Sequence, residues 1–434
     1  MKNDHAPHSP TMIGRDPVVD LVRAGCLIIV VGLHAFMAGI STDGGRLAVF
    51  DATQGESWFA VLTWLVQIMP LFFLVGGFAS LTHWRRLRAR GVGPAAYVHA
   101  RLVRLARPAA LTFGAIAAGF AVASLLGVPG DLLAQVGFRM GQPMWFLGVY
   151  LGVTALVPIM VRLHEAAPRR TQLVLAVGAV LVDLLRSSTG VEAIGFLNLI
   201  FVWLAVQQLG FGYADGWFRR IDRRRLPAAL LLGVAAMIMI GWIGGFSPNL
   251  IDNLNPPTVL LLVLGVVQAL ALTLAEPALR RLAARGAVAT AADAINGRAL
   301  TIYLWHMSVL VCVALVGLAA GLPFPDPLSP AWWITRGYWL AAIALVMIIA
   351  ARLLGRFEQT ASVRPRPGHP TRPGPAIAAV LVAIAAVAAV LVAGFSVLSA
   401  TAAALGLAGA LRLVGGPLPR PAVPALRPPV SVPA

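Results

Sequence analysis

Long apolar runs alternate with short polar loops along most of this chain. Ten runs between residues 18 and 357 are long enough to cross a bilayer as helices. They cover 18–40, 58–80, 109–128, 143–161, 171–186, 194–213, 227–246, 258–276, 299–320 and 334–354. The run 171–186 is short and carries Asp183 and Arg186 near its end. The pattern predicts an all-α polytopic membrane protein, a bundle of about ten transmembrane helices.

A second apolar block, residues 376–411, follows a linker rich in proline and arginine. Its 36 residues are too many for one ordinary span, so it predicts either one span with an interfacial piece or a tight hairpin around Gly394. We therefore expect one or two C-terminal helices beyond the bundle. The predicted division is a cytoplasmic N-terminal segment (1–17), a transmembrane domain (18–357), a linker (358–375), an accessory transmembrane segment (376–414) and a disordered proline-rich tail (415–434).

The composition agrees with a membrane protein. Hydrophobic residues make up 59% of the chain and charged residues only 12%, whereas soluble domains average about 25% charged. The net charge is +17, and the basic residues lie in alternate loops, such as 85–107 and 219–225. The positive-inside rule then predicts that the N-terminus and the basic loops lie in the cytoplasm. We expect a multi-pass protein of the plasma membrane (the bacterial inner membrane). We interpret the basic residues as topology determinants and contacts for membrane lipids; without a nucleic-acid-binding motif, no nucleic-acid partner is expected.

The first apolar run contains two ionisable residues, Arg23 and His34, eleven positions apart. Eleven residues make about three helical turns, so both side chains project from nearly one face, ~16 Å apart along the axis. Ionisable groups are costly inside a bilayer, so the pair predicts a polar cavity with a function. An imidazole can take a proton from a hydroxyl near neutral pH, as a general base in acyl transfer must. The arginine could hold a large anionic donor at the membrane surface.

Each of these residues also has a purely structural interpretation. His34 could be a packing histidine that hydrogen-bonds to a neighbouring helix, and Arg23 could reach along the helix to the lipid head groups. Asp20, one turn before Arg23, could form an ion pair with it. Arg23 and His34 are both costly to bury in a bilayer and lie on one face of one helix. We therefore favour a polar cavity over the structural interpretations.

Further candidate residues lie in or beside other runs. Arg104 and Arg107 belong to a basic segment that is typical of a cytoplasmic stop signal, but guanidinium groups there could also bind the phosphates of a donor. Trp145 could line a substrate site or belong to the outer aromatic belt. Tyr303 and His306, three residues apart on one helix face, form a second polar spot that could share the cavity of His34.

Other polar residues of the runs predict structural roles. Amide side chains inside the spans are expected to join helices by hydrogen bonds. They are Gln67, Asn198, Gln207, Gln208 and Gln268. Histidine, cysteine and aspartate nowhere show the spacing of metal ligands, so no metal is expected. GxGxxG and GxSxG patterns are absent, so a phosphate cradle and a serine nucleophile elbow find no support.

Five short motifs, in order along the ten runs, resemble the membrane-bound acyltransferase-3 family. The hallmark is an arginine, ten residues and a histidine in the first helix, the spacing of Arg23 and His34. The other similar segments are 69–78, 101–108, 145–147 and 303–306. The resemblance covers about residues 15–357. Many family members carry an extracytoplasmic hydrolase-like domain at the C-terminus, where this chain has an apolar block and a short tail.

The resemblance implies transfer of an acyl group, typically acetyl, from cytoplasmic acyl-CoA to a hydroxyl. The implied acceptors are cell-envelope glycans, lipid-linked sugars or small molecules. The family's roles transfer to His34 as the catalytic base and to Arg23 as the donor contact, with supporting donor roles for Arg104 and Arg107. We expect the substrate to lie against side chains of two further motifs, 145–147 and 303–306, namely Trp145, Tyr303 and His306.

Two other classes of function compete with this interpretation. In a transporter or flippase, Arg23 and His34 would belong to a substrate or proton path. In a structural membrane subunit, neither residue would take part in turnover. The chain contains no visible internal repeat, which argues against a transporter built from inverted halves. The oligomeric state and the acceptor stay open.

Overall fold

The computed structural model describes residues 16–41, 47–359 and 373–415. Within these ranges, ten helices are long and apolar enough to cross a membrane, and a bent helix pair can form an eleventh span. The predicted all-α polytopic architecture is confirmed. The predictions for the N-terminal segment, the linker and the tail fall mainly on residues 1–15, 360–372 and 416–434, which lie outside the described residues.

Sixteen α-helices of at least ten residues follow one another along the described chain. The first eight are α1 (Pro17–Met37), α2 (Ser57–Val66), α3 (Met69–Ala89), α4 (Pro94–Leu125), α5 (Gly130–Gly141), α6 (Trp145–Ala155), α7 (Val157–Ala166) and α8 (Pro168–Thr189). The others are α9 (Asn198–Ala214), α10 (Leu226–Ile243), α11 (Val259–Ala283), α12 (Gly286–Asn296), α13 (Ala299–Ala319), α14 (Pro330–Gln359), α15 (Pro373–Ala393) and α16 (Val397–Leu413).

The helices follow the predicted runs in order, with three local differences. The run 143–161 spans a bend of 54° between α6 and α7. The doubtful run 171–186 becomes the 22-residue helix α8, because Asp183 inside it is a hydrogen-bond acceptor for Asn198 Nδ2 (3.0 Å) and Val259 N (2.7 Å). The first run ends early: Ala38–Ser41 forms strand β1, which pairs antiparallel with β2 (Ala48–Asp51).

The start of α1 is held at a defined position by Asp16. Its carboxylate accepts a hydrogen bond from Val18 N (2.9 Å), and Pro17 occupies the first turn, where a missing N–H costs nothing. The same carboxylate lies 3.4 Å from Arg280 Nη2, at the end of α11. The helix that carries both candidate residues is thus tied to the bundle at its first turn.

Helices α3 and α9 approach each other closely because glycines face each other at their crossing. A Cβ on Gly77 would lie 2.5 Å from the carbonyl oxygen of Gln207, and one on Gly210 would meet the carbonyl oxygen of Leu74. Beside this crossing, the rings of Phe73 and Trp203 stack at 4.4 Å. Small residues that allow such backbone contact are typical of helix packing in membranes.

The amides within the spans join helices as predicted. Gln207 Nε2 donates to Val153 O (3.3 Å), and Gln208 Nε2 donates to Met160 O (3.1 Å). Gln67 and Gln268 join the break between α2 and α3 to neighbouring segments: Gln67 Nε2 donates to Leu250 O (3.1 Å) and Gln268 Nε2 to Gln67 O (2.7 Å). Asn198, described above, bridges α9 and α8.

The C-terminal apolar block forms a hairpin, one of the two predicted alternatives. Gly394 has a φ of 70°, the left-handed conformation that favours glycine, and the chain turns there between α15 and α16. Phe395 N donates to Gly137 O (2.8 Å), and a Cβ on Gly137 would clash with the carbonyl oxygen of Phe395. The hairpin packs on α4 and α6 and shares one hydrophobic core with them. Its predicted accessory role stays a prediction.

Replacing Gly210 by alanine should destabilise the protein, because the added methyl group has no space against the α3 backbone. Overpacking of this kind costs about 1–3 kcal/mol. The matched control is Gly119→Ala in α4, where no atom lies within 4 Å of the new Cβ and alanine favours the helix. Thermal unfolding in detergent should show a lower midpoint for Gly210→Ala only. Equal midpoints for the two variants would contradict the close crossing.

Candidate active site

A cavity of about 520 Å³ lies between α1, α3, α4, α6 and α13. Arg23 and His34 both contribute to its wall, so the two ionisable residues of the first helix face one shared space. Both side chains are partly buried. The structural alternatives, an arginine directed to the lipid head groups and a histidine that only packs, do not describe this arrangement.

The end of the cavity near Arg23 is strongly basic. Helix α1 begins, α3 ends and α4 begins on the same side of the bundle, which brings Arg86, Arg101 and Arg104 to the wall of the same cavity. The Arg101 guanidinium lies 5.3 Å from the ring centre of Tyr97, which also lines the cavity. Several guanidinium groups around one cavity form a site for an anion, phosphate above all.

Asp20 lies beside Arg23, as predicted. Arg23 Nη1 is 3.9 Å from Asp20 Oδ1, one turn apart on α1. Asn296, the last residue of α12, donates a hydrogen bond from Nδ2 to the backbone oxygen of Asp20 (2.7 Å). The turn that carries Arg23 is therefore fixed by a side chain of the short helix α12.

The other end of α1 is fixed by two side chains of α14. Trp339 Nε1 donates to Ala35 O (2.8 Å), and Arg336 Nη1 donates to Ala38 O (3.2 Å). The Arg336 guanidinium also lies 3.9 Å from the ring centre of Trp332. A cation at the carboxyl end of a helix satisfies its free carbonyl groups and complements its dipole. These contacts hold the turn next to His34 in one position.

A backbone contact assigns the tautomer of His34. Nδ1 lies 2.8 Å from the carbonyl oxygen of Val30. A carbonyl oxygen can only accept, so Nδ1 is the protonated nitrogen and Nε2 carries the lone pair. A neutral imidazole with a free lone pair at the wall of a cavity can accept a proton from a hydroxyl.

Tyr303 and Trp145 line the cavity, whereas His306, which was predicted to share it, is not among the described residues of its wall. Tyr303 donates from its hydroxyl to Pro143 O (2.8 Å) and accepts from Leu147 N (3.2 Å), so it fixes the start of α6. Trp145 is buried in a stack with Trp203, at 5.4 Å between ring centres, rather than in an outer aromatic belt. The His306 ring contacts His34, at 5.0 Å between centres.

The arginines of the basic stretch 85–107 have two roles that the sequence does not distinguish. Some line the cavity, and others form ion pairs between helices. Arg104 lines the cavity, whereas Arg107 is not among the described residues of its wall. Arg85 donates from Nη1 to Asp215 Oδ1 (2.6 Å), in an ion-pair network that joins α3 to α9. Burial raises the pKa of the Asp215 carboxyl, but the hydrogen bond and charge of Arg85 outweigh it and hold the pKa below its ordinary value.

Glu358 was not among the predicted site residues, because the predicted linker (358–375) includes it. This residue belongs to α14, is only 6% exposed and lines the cavity. Its carboxylate accepts from Thr301 N (2.9 Å) and Thr301 Oγ1 (2.8 Å), and so caps the first turn of α13. The sequence contained an indication of this role, because Glu358 is a single carboxylate that follows Arg352 and Arg356 at the end of an apolar run.

No group of three or more histidine, cysteine, aspartate or glutamate residues in the described chain could hold a metal ion.

Replacing Tyr303 by phenylalanine should destabilise the wall of the cavity, because Pro143 O and Leu147 N lose their shared partner. A lost hydrogen bond in a buried site costs about 1 kcal/mol, and more where a partner stays unsatisfied. Tyr338→Phe is the matched control, because Tyr338 is 78% exposed. Thermal unfolding in detergent should show a lower midpoint for Tyr303→Phe alone. Indistinguishable midpoints would contradict the anchoring role.

Comparison with known proteins assigns the chain to a family. A family profile described as an acyltransferase domain matches residues 16–354, from the start of α1 into α14. Neither the curated proteins nor the solved structures gave a match. The matched range covers most of the chain and includes Arg23, His34 and nearly all of the cavity wall. The chain is an acyltransferase and belongs to the membrane-bound acyltransferase-3 family.

Proposed function

We propose that the protein transfers an acyl group, acetyl in the first place, from acyl-CoA to a hydroxyl of a cell-envelope glycan, a lipid-linked sugar or a small molecule. The observation that carries the proposal is the single cavity whose wall contains both Arg23 and His34. Its basic end suits the phosphates of CoA, and its imidazole suits the activation of a hydroxyl. The family assignment supplies the acyl-transfer chemistry.

The charge of the cavity supports acyl-CoA as the donor. Arg23, Arg86, Arg101 and Arg104 surround its basic end, where phosphate groups would bind by paired hydrogen bonds. The pantetheine arm of CoA, about 15–20 Å long, matches the ~16 Å rise between Arg23 and His34 along α1. A donor held by its phosphates at the basic end would thus present its thioester to His34. Arg107 is more remote, and its proposed contribution to donor binding is indirect.

The proposed reaction is a direct transfer. His34 Nε2 takes the proton of the acceptor hydroxyl, and the oxygen forms a bond to the acyl carbon of the thioester. The carbon–sulphur bond breaks with its electron pair on sulphur, and the proton passes from His34 to the thiolate. Trp145 and Tyr303 line the space around the reacting groups and are proposed to contact the substrate. The reaction needs no metal.

The charge pattern supports a location in the plasma membrane with the N-terminus in the cytoplasm. The arginine end of the cavity lies on the side where α1 begins and α3 ends, next to the most basic loops. Acyl-CoA is a cytoplasmic metabolite, so a cytoplasmic basic end gives the donor direct access. The transporter alternative would use the same cavity but would not need an acyl donor.

Acetyl-CoA should raise the thermal unfolding midpoint of the wild-type protein in detergent. Ligand at 100 times its Kd adds about 2.7 kcal/mol of stability. Arg23→Ala should lose most of this shift, because a guanidinium group of the cavity is removed. Arg90→Ala, in the basic loop 85–107 but exposed and outside the described cavity wall, should keep it. A shift in Arg23→Ala as large as in wild type would refute Arg23 as a donor contact.

Replacing His34 by alanine should abolish transfer of radiolabelled acetyl from acetyl-CoA to acceptors in native membranes. General-base catalysis contributes about 10²–10⁴-fold to a rate, so the loss should be of this size. His99→Ala is the control, because His99 lies in α4 and is not among the described residues of the cavity wall. An active His34→Ala enzyme would exclude the proposed base. Uptake by vesicles without CoA would instead favour the transporter.

A further inference from the structure

His306 is a fully buried histidine next to the proposed base. Its side chain has an exposure of 0%, and its ring centre lies 5.0 Å from that of His34, with the two planes inclined at 61°. Helix α13, which carries His306, packs against α1. One turn earlier on the same helix, Tyr303 is held against α6 by its two hydrogen bonds. The position of His306 relative to His34 is thus set by two anchored helices.

The two histidines share one protonation pattern. His306 Nδ1 lies 2.6 Å from the carbonyl oxygen of Tyr303, just as His34 Nδ1 lies next to that of Val30. Both carbonyl oxygens can only accept, so both Nδ1 atoms carry a hydrogen and both Nε2 atoms carry a lone pair. Each ring therefore points its donor at its own helix and keeps its acceptor free.

His306 Nε2 is buried without a hydrogen-bond partner. A buried acceptor without a partner destabilises a protein, and buried polar groups are paired in the great majority of cases. A leucine would fill the same space without this cost. The lone pair is thus a feature that packing alone does not account for, and the nearest ionisable ring is that of the proposed base.

We propose that His306 is a positioning residue that stabilises the protonated form of His34 during acyl transfer. This inference rests on the proposed role of His34. When His34 takes the hydroxyl proton at Nε2, it becomes an imidazolium with two N–H groups. The Nδ1–H of His34 is already bonded to Val30 O. The lone pair of His306 Nε2 therefore accepts a hydrogen bond from the new Nε2–H, directly or through one water molecule, once the acceptor oxygen has bonded to the acyl carbon. His306 gains and loses no proton, and the proton on His34 still leaves with the thiolate.

The geometry favours this role over direct substrate contact. His306 is not among the described residues that line the cavity, whereas His34 is. A charge-assisted hydrogen bond is stronger than a neutral one, and its strength grows where water is excluded. The contact is therefore weak while His34 is neutral and becomes strong as charge develops on it, which lowers the barrier rather than the energy of the bound substrate.

The test compares His306→Leu with His306→Gln, both measured as kcat and KM for radiolabelled acetyl-CoA with native membranes as the acceptor source. Leucine removes the lone pair, so kcat should fall about 10- to 100-fold with KM unchanged. Glutamine places an amide oxygen near the position of Nε2 and should recover part of the lost kcat. The unfolding midpoint of His306→Leu should not fall below that of wild type, because an unpaired acceptor is removed.

Three outcomes would overturn the inference. They are an unchanged kcat in His306→Leu, equal losses in the leucine and glutamine variants, or a loss of kcat that follows a loss of thermal stability. In a His34→Ala background, His306→Leu should cause no further loss, since the group it assists is absent. If His34→Ala itself stays active, the proposed base fails as well; if only the His306 variants stay active, the proposed base stands without this partner.

Discussion

The structure depends on one constraint: an arginine and a histidine in a single membrane helix must face a polar space. Neither Arg23 nor His34 can be placed against lipid at low cost, and α1 presents both on one face. The surrounding helices therefore leave a cavity beside these two side chains instead of packing tightly against them. Its two ends differ in chemistry, with guanidinium groups at one and imidazole at the other, and the difference follows from the order of residues along one helix.

A cavity inside a bundle has to be kept open by rigid surroundings. Glycines bring α3 and α9 into backbone contact, and a network around Arg85 and Asp215 ties the ends of these helices together. Both turns of α1 that carry the candidate residues are fixed by side chains from elsewhere in the chain, Asn296 at one end and Trp339 at the other. Such anchoring suits a site whose proposed functional groups must hold a fixed geometry.

Much of the fold could be predicted from hydropathy, because each span is a long apolar run with its own backbone hydrogen bonds. The strand pair after α1 could not, since each strand needs the other as its partner. The bend between α6 and α7 was not predicted either, although Pro158 lies in the first turn of α7. At the site, helical spacing correctly placed Arg23 and His34 together. Spacing could not show that Arg104 lines the cavity whereas Arg107 is not among its described wall residues, or that Glu358 points into the cavity. The side of a helix that faces the cavity depends on the rotation of that helix within the bundle. His306 was predicted to share the cavity of His34, but its ring contacts that of His34 without belonging to the described cavity wall, which spacing could not show.

The C-terminal hairpin lies beyond the range of the family match, yet it shares a hydrophobic core with the helices that form the cavity. Val387 and Phe395 are buried in the same core as Leu147 and Tyr303. Removal of α15 and α16 would uncover the outer sides of α4 and α6 to lipid and take away the backbone contacts that the hairpin makes at Gly137 and Gly141. The limits of the homologous domain are thus not the limits of the cooperative folding unit. A shortened chain that ends at residue 354 would retain every proposed catalytic group and lose part of the scaffold that orients them.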